Sequence, residues 1–129
     1  MSAIHKLFIV STLKRENQMI QEVAERLGFN VTILQNSQEL KSALFAETPD
    51  ILVFDPENDS DTLQLVIELL HQPIMSHMII LLMTPKNPMI PAYFKLFKGY
   101  IMACITYPFH KQEVAFFLEG LSKKHLGKP

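Results

Sequence analysis

Apolar residues fall along this chain in five short runs separated by longer amphipathic stretches. Residues 7–10 (Leu-Phe-Ile-Val) are wholly apolar, which predicts a strand buried on both faces. Met19 or Ile20, Val23, Ala24 and Leu27 then recur at three- and four-residue spacing, a helical stripe that Gly28 ends. Val31 and Ile33 alternate with Thr32 in a second strand over 30–34. Asn36 stands three residues before Glu39, as a capping box requires, and Leu40, Ala43 and Leu44 follow as the inner stripe of a second helix that ends by Pro49. Residues 51–54 (Ile-Leu-Val-Phe) form a third strand. The polar run 57–61 leads into a helix carried by Leu63, Val66, Ile67 and Leu70 and barred from continuing by Pro73. Its acidic residues favour the positive end of that helix.

A fourth strand follows over 78–83, then a connection crowded by Pro85, Pro88 and Pro91. A fourth helix is predicted from about Ile90 to Lys98 with Gly99 as its stop, a fifth strand over 103–106, and a last helix over 113–121 with Val114, Phe117, Leu118 and Leu121 inward. Five repeats of strand then helix imply a parallel sheet covered on both faces. The expected fold is one doubly wound (βα)5 α/β domain of flavodoxin-like shape over residues 1–129, with its core in 5–125. Right-handed crossovers place every strand's C-terminal end on one rim, where open sheets of this kind gather their chemistry. The rim residues are Ser11, Thr12, Asn36, Asp55, Thr84 and Tyr107.

Composition narrows the function classes. At 129 residues and 48% apolar, the chain is long enough to bury its own core. Cys104 is the single cysteine, so there is no internal disulfide and no cysteine-rich zinc site. The five histidines form no H-x-x-x-H pair, and His71 and His77, flanking Pro73, read as solvent-facing. No glycine-rich loop follows the first strand, which argues against a nucleotide or flavin cradle; no cofactor and no metal are expected. The run 78–83 is far short of a membrane span, and no apolar leader follows Met1. A cytoplasmic protein without membrane contact is expected. The net charge is −1, too little positive charge for direct nucleic-acid binding. It is unevenly placed. Residues 1–68 hold 11 acidic and 5 basic side chains, and residues 69–129 hold 2 acidic and 7 basic. The basic half reads either as ordinary surface variation or as a face that meets an acidic partner surface. The tail from Ser122 reads either as a natural end or as the start of a linker.

The rim residues carry a resemblance. Asp55 in PDILVFDPEN, Thr84 in IILLMT, and Pro108 and Phe109 in ITYPF make the chain resemble the receiver domains of bacterial two-component response regulators, over essentially residues 5–125. The resemblance implies that Asp55 stands at the phosphoacceptor position, that Thr84 stands where a hydroxyl contacts the phosphoryl group, and that the bond before Pro108 is cis. It also marks departures. Ser11 and Thr12 replace the acidic pair that binds Mg²⁺, Tyr107 replaces the lysine, and Cys104 replaces the aromatic that changes rotamer on activation.

Neutral hydroxyls are poor substitutes for carboxylates around Mg²⁺, and one phenol replaces an ammonium. A degenerate, pseudo-receiver type is therefore expected: a non-enzymatic module of signalling and protein interaction, not phosphorylated by the usual Mg-dependent route. The alternative is a conditional phosphoacceptor that regulates transcription through Asp55. Asp55 itself reads as a carboxylate that pins neighbouring loop N–H groups, and the Tyr107 hydroxyl is expected to hydrogen-bond it in place of the lost ion pair. Thr84 reads as a cap for the turn at Pro85, and Cys104 as a small core residue, with a redox switch as its rival. By the same resemblance, the fourth helix, fifth strand and fifth helix form the partner surface. That segment contains Tyr93, Phe94, Lys95, Phe97, Lys98, Tyr100, Ile101, Met102 and Lys111 as its expected contacts, with core packing expected for at least one of Phe94 and Phe97, and with an unknown regulatory protein or a second copy as the partner.

Overall fold

The computed structural model describes residues 5–70, 72–73, 77–85 and 90–126. Strands and helices alternate as β1 (Lys6–Val10), α1 (Lys14–Arg26), β2 (Asn30–Leu34), α2 (Ser37–Ala46), β3 (Ile51–Phe54), α3 (Ser60–Leu69), β4 (Ile79–Thr84), α4 (Ile90–Leu96), β5 (Met102–Thr106) and α5 (Lys111–Leu121). A π-helical turn over Ser122–Leu126 continues α5. All five strands are parallel, in the order β2-β1-β3-β4-β5.

The sheet separates two apolar layers because successive side chains of a strand point to opposite faces. Leu7, Ile9, Ile51, Val53, Ile79 and Leu81 lie on one face, packed with Ile20, Val23 and Ala24 of α1 and with Val114 and Leu118 of α5. Phe8, Val10, Leu52, Phe54, Ile80 and Leu82 lie on the other, packed with Leu40 of α2, Val66 of α3, and Tyr93 and Phe97 at α4. Both faces being covered explains why β3 and β4 read as unbroken apolar runs: every residue in them is buried.

The predicted punctuation is present with small shifts. Gly28 and Gly99 have φ of 95° and 93°, a left-handed conformation that glycine adopts without a side-chain clash. Asn36 caps α2, its side chain accepting from the Glu39 N–H at 2.9 Å. The return contact differs from the expected capping box: the Glu39 carboxylate takes the N–H of Gln35, one residue earlier, at 3.0 Å. Asp59 caps α3, accepting from both the N–H and the hydroxyl of Thr62. The fourth helix stops at Leu96, two residues before Lys98, and the fifth begins at Lys111.

Strand order reverses direction between β1 and β3, since β2 lies outside β1 while β3, β4 and β5 run the other way. The crevice at that switch point opens at the strands' C-terminal ends. Here it is a cleft of about 440 Å³ lined by Ser11, Thr12, Gln35, Asn36, Asp55 and Asn58, among others.

Candidate functional site: the Asp55 rim

Asp55 is the first residue past β3. It leaves the sheet at its most buried strand and is itself only 3% exposed. A buried carboxylate must have its acceptor positions filled. Four donors do so. Oδ1 accepts the backbone N–H of Glu57 at 2.9 Å and of Asn58 at 3.2 Å. Oδ2 accepts the Asn58 amide at 2.7 Å and the Tyr107 hydroxyl at 2.5 Å. An ionised carboxylate offers about four lone-pair sites, so the set is complete. The Tyr107 distance lies in the range of O–H bonds to ionised oxygen.

Tyr107 is delivered by the end of β5. Its N–H donates to the Thr84 carbonyl at 2.8 Å, and the Tyr107–Pro108 bond is cis, as the resemblance implied. The expected contact between its hydroxyl and Asp55 is present, and Asn58 closes a triangle by donating to the same hydroxyl at 2.7 Å. Burial first, and then the Asp55 carboxylate, push the Tyr107 phenol well above its ordinary value of 10.0. It therefore remains a donor at neutral pH. Asn58 was not among the expected site residues. Its signal was an amide three residues past a strand-end aspartate, the spacing of side chains that fold back onto a loop.

The positions that would hold Mg²⁺ do not fit that ion. Ser11 is buried, and its hydroxyl accepts the Leu13 N–H at 2.9 Å while its carbonyl accepts the Asn17 amide at 2.7 Å. Thr12 is exposed. With both Asp55 oxygens engaged, the described residues of the rim do not offer the several free hard oxygens Mg²⁺ demands. Among the described residues, no group of three His, Cys, Asp or Glu is placed to hold a metal ion. None of the ion pairs formed there involves Asp55.

Thr84 and Cys104 stand apart from the carboxylate network. Thr84 is fully buried, and among the described residues its hydroxyl has no hydrogen-bond partner; the turn that it was expected to cap runs into residues 86–89, which lie outside the described residues. Cys104 is half-buried on the α4 face, and burial raises its thiol's pKa. That is the opposite of what a reactive thiolate needs.

The expected partner surface needs correction. Tyr93 and Phe97 are 7% and 1% exposed and belong to the core; Phe97 packs edge-on against Phe54 at 6.5 Å. The half-buried Tyr100 donates its hydroxyl to the Leu70 carbonyl. Lys111 is exposed but paired with Glu22 of α1 at 2.5 Å. Lys95 and Lys98 are exposed, and Met102 is half-buried. The Phe94 side chain, like all of His71, lies outside the described residues, whereas His77 is exposed as expected. Sequence reading missed Leu96 and Phe116, which are 46% and 76% exposed. Ile101, which lies in the expected segment, is 39% exposed. Together with Met102 and Phe117, Ile101 and Phe116 line a groove of about 610 Å³ edged by Glu119, Lys123 and Lys124.

Fold and rim together define a CheY-like, flavodoxin-like α/β domain. Its structural neighbours are response-regulator receivers. The chemotaxis response regulator CheY4 of Vibrio cholerae superposes with a TM-score of 0.76 at 17% identity, covering 92% of this chain and 99% of that one. A response regulator from Thermotoga maritima gives 0.79 at 16% identity, with 95% and 100% covered. A putative response regulator from Chloroflexus aurantiacus gives 0.77 at 21% identity, again with 95% and 100% covered. No family model and no curated protein match the sequence. Among the described residues, no helix is long and apolar enough to cross a membrane.

Proposed function

We propose that this chain is a receiver-like signalling module of the degenerate type, working through protein contacts without Mg-dependent aspartyl phosphorylation. One observation carries the reading: both oxygens of Asp55 are committed, one to two backbone N–H groups and the other to Asn58 and Tyr107. Attack on a phosphodonor needs a free carboxylate lone pair, so it must first break part of this network. The incoming phosphoryl brings further negative charge, and catalysis of its transfer is mainly charge neutralisation and positioning. A neutral phenol neutralises none of it.

The test is intact-mass analysis after incubation with Mg²⁺ and a small phosphodonor such as acetyl phosphate, then with a histidine kinase. The protein is expected to remain unmodified. A stoichiometric phosphoryl adduct that disappears in Asp55→Ala would overturn the proposal in favour of a conditional phosphoacceptor.

The contact surface is the groove between the start of β5 and α5, and its occupant is a second copy of this chain. Two-fold symmetry requires one patch that complements itself. This patch has an apolar centre at Ile101 and Phe116 and carries both signs at its edge, Glu119 against Lys123 and Lys124. A strict monomer at high concentration in light scattering would sink this part.

A further inference from the structure

β5 is an edge strand: it stands last in the sheet and pairs with β4 on one side. Successive residues of a strand turn their backbone N–H and C=O groups to opposite sides. The two ends of the β4 ladder fix the phase. The Ile101 carbonyl accepts the Ile80 N–H at 2.9 Å, and the Tyr107 N–H donates to the Thr84 carbonyl at 2.8 Å. Ile101, Ala103, Ile105 and Tyr107 therefore turn to β4, and the backbone groups of Met102, Cys104 and Thr106 turn outward. Among the described residues, those outward groups have no hydrogen-bond partner. An open edge is a template for another strand unless charge, proline or a bulge blocks it. The β5 sequence Met-Ala-Cys-Ile-Thr has no charge and no proline, and its register with β4 is unbroken from Met102 to Thr106. Met102 and Cys104 are half-buried and Thr106 is exposed. The apolar groove with exposed Ile101 and Phe116 lies beside this edge.

We propose that two copies of the chain join edge to edge, β5 antiparallel to β5, so that their sheets run on as one. This inference rests on the reading that a second copy occupies the groove, and it specifies how the copies are joined. The strand itself sets the register. A two-fold axis at Cys104 places Cys104 opposite Cys104 of the second copy and Met102 opposite its Thr106. Each opposed pair exchanges two backbone bonds, about six in all. Any shifted register leaves outward groups unpaired. The arrangement is self-complementary, as a closed dimer requires. Its axis stands perpendicular to the sheet, so both α5 helices lie on one face with their grooves side by side, and the exposed Phe116 rings gain cover there.

Light scattering and amide hydrogen exchange on the same samples separate the two claims. At a concentration where light scattering shows the dimer, the amides of Met102, Cys104 and Thr106 are expected to exchange about tenfold more slowly, or slower still, than in the diluted monomer. Those of Ala103 and Ile105, already turned to β4, are expected to change far less. A dimer in which the outward amides exchange as in the monomer would overturn the edge pairing while leaving a second copy in the groove. A monomer at every concentration would overturn both. Cys104→Pro gives an independent readout. It removes an outward N–H, the place where an edge strand tolerates proline, and sets two rings against each other at the axis. Cys104→Pro is expected to be monomeric and Cys104→Ala dimeric; a dimeric Cys104→Pro would overturn the pairing.

Discussion

The Tyr107 hydroxyl and the Asn58 amide meet at one oxygen of a nearly inaccessible carboxylate. Removing the hydroxyl by Tyr107→Phe leaves Oδ2 with Asn58 alone, at a cost of about 1.5–3 kcal/mol for a bond to a charged group, measurable by urea denaturation. The pH dependence has a defined sign. The phenol's pKa in the folded state lies above its ordinary 10.0, so its contribution is intact below about pH 10 and fades as pH rises beyond it. Between pH 8 and 11, the unsubstituted protein is expected to lose more stability than Tyr107→Phe. The meeting of Tyr107 and Asp55 was legible because, in the family that the chain resembles, the matching positions at the ends of the third and fifth strands face each other across the rim, with β4 between the strands. The role of Asn58 was not, since a loop amide in a polar run has no periodicity to reveal its direction.

Elements end here for local reasons, and local changes should move them. Gly99 follows α4 with φ of 93° and nothing within 4 Å of the place a Cβ would take. Gly99→Ala therefore meets no tertiary clash and isolates the backbone term, an expected loss of about 1–2 kcal/mol. Asn36→Ala removes the α2 cap and is expected to cost about 1 kcal/mol. Thermal unfolding of both variants checks the pair. Strand positions were legible to within a residue or so, because a strand covered on both sides needs an uninterrupted apolar run. The fourth helix was harder. Tyr93 and Phe97, four residues apart, have the spacing of one inward face, yet aromatics read equally well as contact residues when no packing surface is in view.

At the scale of the molecule, the groove beside α5 sets the prediction. Phe116 is largely exposed, with its ring edge-on to Phe117 at 6.0 Å, so Phe116→Asp should disturb the fold little. It is expected to shift the protein from dimer to monomer in light scattering, with an unchanged thermal midpoint when measured at dilution. The uneven charge was legible by counting. Which lysines edge an apolar groove was not: Lys123 and Lys124 do, while Lys111 turns to α1.

The order of residues by itself determined the alternation of strand and helix, the left-handed glycines Gly28 and Gly99 beyond the ends of α1 and α4, and the strand-end position of Asp55. These depend on neighbours along the chain, where periodicity and backbone preference act. Only the tertiary structure decided that four donors converge on one carboxylate, that Tyr93 faces inward, and that Phe116 does not. Each of those outcomes depends on which distant surfaces are pressed together, and burial is a property of the packed whole.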